Sequence, residues 1–162
     1  MKSIIIYYSY TGNTKKIANI LGEILNQKGE LELIELRPLD ESNKFFIQAT
    51  RAFRRKRAEI ESVNFDLKNF DLICFGTPVW AFSPAPAMNT YLDRCSGLEN
   101  KSVILFVTYG SGAGVQRCLN YMEKILSRKG VKDFKRFSIQ EKRIEDKDFV
   151  TLKIKEVLGW KG

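Results

Sequence analysis

The chain has 162 residues, of which 44% are hydrophobic, so we predict one domain, residues 1–162, around one sizeable core. No apolar run approaches the ~20 residues of a membrane span and no signal-peptide pattern opens the chain, so we expect a cytoplasmic location. The formal net charge is +8. The three cysteines stand far apart, which argues against a disulfide framework and a metal site. Histidine is absent, which argues against a histidine-dependent hydrolase.

Apolar runs and stretches with helical periodicity alternate along the chain. We predict strands over about residues 3–8, 31–37, 71–76, 102–108 and 133–139. We predict helices over about residues 13–28, 43–60 and 145–158, a helix from 115 that Gly130 closes, and a short helix that contains Met88, Tyr91 and Leu92. The pattern therefore alternates strand and helix from end to end.

Short apolar strands separated by helices indicate the α/β class, with a doubly wound, five-stranded parallel sheet and helices on both faces. We predict the strand order 2-1-3-4-5. Such sheets bind ligands at the carboxyl ends of the strands, where the winding reverses. In this order the first, third and fourth strands are neighbours, so the loops that follow them should meet at one edge.

The loop after the first strand has the composition of a phosphate cradle, Ser9-Tyr10-Thr11-Gly12-Asn13-Thr14. A helix start offers unpaired N–H groups and the positive end of the helix dipole, and the hydroxyls of Ser9, Thr11 and Thr14 can donate further bonds. Neither a dinucleotide fingerprint nor a Gly-Lys-Ser/Thr ending is present, so one terminal monoester phosphate is the best match. The alternative is an ordinary helix cap at Ser9, Asn13 or Thr14.

The loops after the third and fourth strands contain aromatic residues and glycines but no charge. They read Thr77-Pro78-Val79-Trp80-Ala81-Phe82-Ser83-Pro84-Ala85-Pro86 and Thr108-Tyr109-Gly110-Ser111-Gly112-Ala113-Gly114. We expect Trp80 and Phe82 to be exposed, and exposed aromatics beside free backbone amides suit a flat ring with polar edges. A phosphate at the first loop and a flat ring between the other two describe flavin mononucleotide (FMN). The alternative is that Trp80 packs on the sheet and the glycines only serve turns.

The first loop resembles the phosphate-binding signature of flavodoxins, and the segments 76–80 and 110–112 resemble the two isoalloxazine loops of short-chain flavodoxin-like proteins. The resemblance covers the whole chain and implies a flavodoxin-like fold, bound FMN and the role of a low-potential electron carrier. It implies that Trp80 flanks the ring. It also implies phosphate contacts from Ser9, Tyr10, Thr11, Gly12, Asn13 and Thr14, and ring contacts from Thr77, Pro78, Val79, Trp80, Ala81, Phe82, Thr108, Tyr109, Gly110, Ser111 and Gly112.

Two features depart from the flavodoxin pattern. Typical flavodoxins are strongly acidic, whereas this chain carries +8, so we expect a less negative potential for full reduction of the flavin. Many relatives have a glycine in the second loop whose peptide flips toward the reduced flavin. Here Ala81 and Phe82 occupy that neighbourhood, and we expect a flip into positive φ to meet a steric cost that weakens one-electron chemistry.

We therefore expect an FMN-binding electron-transfer protein, in which the cofactor carries the electrons and no side chain is assigned as catalytic. One alternative is an NAD(P)H-dependent FMN reductase of a quinone or similar acceptor, which the lack of an obvious nicotinamide subdomain disfavours. Another is a non-redox binding module on the same fold, such as a receiver domain, but the loops lack the acidic cluster that receivers need.

A basic run within the helix expected at 43–60 gives the chain much of its positive charge, and it consists of Arg51, Arg54, Arg55, Lys56 and Arg57. It is either a solvated helix face or a surface that steers an acidic redox partner protein or a nicotinamide phosphate. Nucleic-acid binding is disfavoured because no aromatic stacking platform accompanies the charge. We expect a monomer or a weak dimer.

Overall fold

The computed structural model describes residues 1–39 and 57–160. In these ranges the elements follow one another as β1 (Lys2–Tyr7), α1 (Asn13–Asn26), β2 (Glu30–Glu35), β3 (Leu72–Trp80), β4 (Ser83–Pro84), α2 (Pro86–Arg94), β5 (Ser102–Tyr109), α3 (Val115–Ser127), β6 (Asp133–Gln140), a short 3₁₀ turn (Glu141–Arg143) and α4 (Lys147–Leu158). None of these helices is long and apolar enough to cross a membrane.

The main sheet is parallel and has the strand order β2-β1-β3-β5-β6. This order confirms the predicted 2-1-3-4-5, because β4 is an additional two-residue strand that pairs antiparallel with the end of β3. The central strands are aligned side by side, since Ile5 of β1 pairs with Cys74 of β3, and Cys74 pairs with Ile104 of β5. Their carboxyl ends therefore form one continuous edge.

Alternation along the strands divides the core into two layers. Ile4, Ile6 and Phe75 point toward α2 and α3, where they pack with buried residues such as Met88 and Met122. The intervening residues of the same strands point to the opposite face and pack against α1 and α4, and they include Ile5, Tyr7 and Cys74. Strands buried on both faces explain why their sequences are continuously apolar.

One strand boundary differs from the prediction. β3 continues from the expected end at Gly76 to Trp80, then turns back into β4, so part of the predicted loop 77–86 is a hairpin. The pairs Val79–Pro84 and Trp80–Ser83 join its two arms. β-Favouring residues at the end of β3 and a partner strand within reach explain the extension.

The helix predicted over 43–60 lies mostly outside the described residues, as do Arg51, Arg54, Arg55 and Lys56 of the basic run. Its described end, residues 57–60, is not helical. Ile60 forms a bridge with Pro38 instead. The hydroxyl of Thr90 in α2 donates to the carbonyl of Ala58 at 2.6 Å, and Arg57 forms a two-point ion pair with Asp93. Contacts with α2 thus override the helical periodicity of this end.

Candidate functional site

The three loops singled out in the sequence lie together at the carboxyl edge of the sheet. The Tyr8 N–H, just past β1, donates to the Gly76 carbonyl of β3 at 3.0 Å. The ring of Tyr10 in the first loop meets the ring of Trp80 at the end of β3, with centroids 5.6 Å apart. The hydroxyls of Thr14 in α1 and Thr108 in β5 lie 2.8 Å apart. These contacts join the loop after β1 to both neighbouring strands.

The start of α1 has the geometry of an anion cradle. Gly12 is the N-cap, with φ at 92°, and it offers no side-chain acceptor to the first turn. The first turn contains no acidic residue. A Cβ built on Gly12 would meet no atom within 4 Å, so open space lies beside the backbone at the positive end of the helix. This arrangement fits a phosphate group.

The predicted hydroxyl donors of the first loop take different positions. Ser9 Oγ accepts the Lys15 N–H at 3.1 Å, so it caps the helix while its own hydroxyl proton stays free to donate. Thr11 is exposed and Asn13 is half-buried. Thr14 is buried against Thr108, and one proton of that pair remains available to a third group. The capping interpretation and the cradle interpretation are therefore compatible at Ser9.

The β3–β4 hairpin turns through Ala81 and Phe82, which have φ values of 45° and 67°. Two-residue hairpin turns often need positive φ at both central positions and usually use asparagine or glycine there. The steric cost expected for a flip into positive φ is therefore already present in this turn, because both residues adopt positive φ. The strain of about 1 kcal/mol or more per residue must be offset by neighbouring contacts.

Gly114, the N-cap of α3, packs directly against this turn. A Cβ on Gly114 would overlap the Phe82 ring and lie 2.8 Å from the Phe82 Cα, so only glycine allows the hairpin to pack so closely. On the other side of the hairpin, the Thr77 hydroxyl accepts the Ala85 N–H at 3.0 Å. The second and third loops are thus interlocked.

Trp80 is buried, with 5% of its surface exposed, and the expectation of an exposed indole was wrong. Because β3 continues through this position, the side chain points under the first loop. There it meets the rings of Tyr8 and Tyr10 edge-on, each at 5.6 Å. Phe82, at 38% exposure, is the aromatic side chain that this hairpin presents to the surface. Thr77 is fully buried, while Pro78, Val79 and Ala81 are partly buried.

The third loop presents backbone to solvent. Gly110, Ser111 and Gly112 are exposed, and Tyr109 is half-buried, with its ring 3.4 Å from the position of a Cβ on Gly112. The Gly110 carbonyl accepts the side-chain amide of Gln140 at 2.8 Å. Sequence reasoning missed Gln140, although the end of β6 had to lie beside the end of β5 in the predicted strand order.

The charges around this edge are mostly compensated. Lys15 lies 2.9 Å from Glu35, and Lys16 pairs with Glu145. Burial, with a smaller contribution from the nearby Glu35 carboxylate, raises the pKa of Tyr7 to about 12, so the phenol stays neutral. The three loops therefore form a neutral surface of backbone amides, hydroxyls and aromatic rings, which suits a flat ligand with polar edges.

Comparison with known proteins gives one family and a consistent fold. A family model described as NADPH-dependent FMN reductase matches residues 1–141. A flavoprotein in complex with FMN from Lactobacillus acidophilus is 23% identical, with a TM-score of 0.68, over 91% of this chain and 98% of that one.

Two further solved structures are similar over almost the whole chain. An NADH:FMN oxidoreductase in its apo form is 17% identical with a TM-score of 0.68, over 98% of this chain and 87% of that one. Flavodoxin 2 from Bacillus cereus is 19% identical with a TM-score of 0.62, over 98% of this chain and 99% of that one. At these identities the likeness shows the fold, which is flavodoxin-like as predicted.

Proposed function

Because the chain belongs to the family of NADPH-dependent FMN reductases, we propose that it takes hydride from a nicotinamide dinucleotide and reduces a quinone or similar acceptor. It is a flavodoxin-like flavoprotein with FMN as its cofactor. FMN, when bound, supplies the hydride and electron chemistry, and the protein supplies orientation and electrostatics.

The family membership of residues 1–141 carries the reductase proposal, and the cradle at the start of α1 supports the FMN binding on which it depends. Residues 9–14 would hold the FMN phosphate, since Gly12 leaves open space in front of unpaired helix N–H groups and Ser9 keeps a hydroxyl proton to donate. The segments 77–82 and 108–112 would line the ring, with Trp80 as a buried support rather than an exposed face. No described side chain is needed as an acid or a base.

The interlocked hairpin favours two-electron chemistry over one-electron transfer. A carrier of the flavodoxin type benefits from a second loop whose peptide can rearrange when the flavin gains one electron. Here Ala81 and Phe82 already have positive φ, and the backbone of Phe82 packs on Gly114 without room for a Cβ. A turn held in this way resists rearrangement, so a one-electron state gains little from it.

The second candidate is a one-electron carrier, which the flavodoxin-like fold over nearly the whole chain supports. In that role the chain would meet acidic redox partner proteins, because its net charge is +8. The two candidates share the FMN site and differ in the number of electrons per step and in the need for a partner reductase.

The deciding experiment adds NADPH, without any partner protein, to the purified chain loaded with FMN. The reductase is supported if NADPH bleaches the flavin bands under anaerobic conditions and the protein then oxidises NADPH repeatedly when a quinone is added. No bleaching by NADPH or NADH, combined with stepwise one-electron reduction by dithionite, supports the carrier. Failure of the protein to take up FMN would contradict both functions while leaving the fold unaffected.

A further inference from the structure

Arg117 stands out among the described cations near the proposed FMN site. Lys15, Lys16 and Arg143 are each paired with a carboxylate. Within residues 1–39 and 57–160, no carboxylate lies within 4 Å of Arg117, and its guanidinium carbon lies 5.9 Å from the centroid of the Phe82 ring. The side chain is exposed. A guanidinium without a carboxylate partner among the described residues therefore lies beside the exposed tip of the second loop.

The position of Arg117 is electrostatically unfavourable for the fold itself. It is the third residue of α3, and the positive end of a helix dipole favours acidic side chains there, yet the first turn of α3 contains none. The N-cap, Gly114, is fixed by its contact with Phe82 and supplies no side-chain acceptor. A cation without local compensation at a site edge is a typical feature of anion recognition.

We propose that Arg117 binds a phosphate of the nicotinamide dinucleotide, with Phe82 as the apolar surface beside it. This inference rests on the proposed function and names a residue that recognises its reductant. A guanidinium pairs with phosphate oxygens through two parallel N–H bonds, and the planar ring beside it limits its freedom. The pyrophosphate, common to NADH and NADPH, and the 2′-phosphate, unique to NADPH, have the same chemistry.

Calorimetric binding of NADP⁺ and NAD⁺ to the protein saturated with FMN tests the inference. We expect Arg117→Ala to weaken NADP⁺ binding by about tenfold or more, since charge-assisted hydrogen bonds are lost. Arg117→Lys should recover part of the loss, and FMN affinity should be unchanged in both variants. An equal loss for NAD⁺ assigns the contact to the pyrophosphate, whereas a loss confined to NADP⁺ assigns it to the 2′-phosphate.

Arg128→Ala is the matched control, because Arg128 is exposed at the other end of the same helix and its loss changes the net charge equally. NADP⁺ affinity within twofold of wild type in Arg117→Ala, an equal loss in the control, or no NADP⁺ binding by the wild-type protein would overturn the inference. Flavin bleaching by NADPH is scored separately: if it persists with unchanged dinucleotide affinity in Arg117→Ala, the proposed function stands and this inference fails.

Discussion

The hydroxyl of Thr14, in the first turn of α1, lies 2.8 Å from the hydroxyl of Thr108, near the end of β5, and both residues are 1% exposed. The two positions are 94 residues apart in the chain. The bond ties the proposed phosphate cradle directly to the strand that leads into the third loop. It is therefore a structural link between the two ends of the proposed FMN site.

Thr108→Val should lower the free energy of unfolding by about 1–3 kcal/mol, because it leaves the Thr14 hydroxyl buried without its partner. We expect FMN affinity to fall as well, by about threefold to tenfold, since the first turn of α1 loses its tie to β5. Urea denaturation and flavin fluorescence titration measure the two effects. Thr108→Ser keeps the hydroxyl and should retain most of the stability and most of the FMN affinity.

The double variant Thr14→Val, Thr108→Val should be closer to wild type in stability than either single variant, because no buried hydroxyl then lacks a partner. Additive losses in this double-mutant cycle would show that the two hydroxyls do not interact in solution.

Gly12→Asp should reduce FMN affinity by about 100-fold or more, because a carboxylate would occupy the space in front of the α1 N-terminus and repel a phosphate. Gly159→Asp is the control: Gly159 also has a left-handed φ, 71°, and open space around its Cβ position, but lies at the end of α4. Both changes impose a similar backbone strain. Equal FMN affinity in the two variants would show that Gly12 does not face the phosphate.

Gly114→Ala should destabilise the protein by about 2–4 kcal/mol, because the new methyl group overlaps the Phe82 ring at a backbone with φ at 79°. Gly159→Ala introduces only the strain of a left-handed φ, so its free energy of unfolding should fall by about 1 kcal/mol. Thermal or urea denaturation compares the two. A loss in Gly114→Ala no larger than in the control would mean that the hairpin shifts freely.

Ala81→Gly should stabilise the hairpin by about 1 kcal/mol, because glycine accepts the φ of 45° without strain. The same variant makes the turn easier to rearrange. In a potentiometric titration of the FMN-loaded protein, we expect wild type to reduce in a single two-electron transition and Ala81→Gly to show two separate steps more readily. Two well-separated steps already in wild type would support the carrier function.

Stability should decrease at high pH. Burial raises the pKa of the Cys95 thiol to about 11 and that of the Tyr7 phenol to about 12. A raised folded-state pKa contributes stability that is complete below the unfolded value and is lost as the pH rises through the folded value. The free energy of unfolding should therefore fall from about pH 9 to pH 12. Cys95→Ala should flatten part of that slope, and an unchanged profile in this variant would exclude Cys95 as a source.

The sequence by itself determined the class of fold and indicated at which edge of the sheet a ligand site is expected. Continuously apolar strands separated by amphipathic helices are buried on both faces of a sheet. This pattern is typical of a parallel, doubly wound sheet. Its strand order then brings the three uncharged loops to one edge, and the hydroxyl-rich stretch 9–14 indicates a helix start that suits an anion. The apolar runs, the helical periodicity and the hydroxyl-rich stretch are local signals, because each depends on residues close together in the chain.

Only the tertiary structure decided how the loops are built. The burial of Trp80 between two tyrosines, the left-handed turn at Ala81 and Phe82, and the Thr14–Thr108 bond each depend on partners far away in sequence. Backbone propensity disfavours positive φ for both alanine and phenylalanine. The contact of Phe82 with Gly114 outweighs that preference in this turn. Strain of this kind is visible only once the two loops pack against each other.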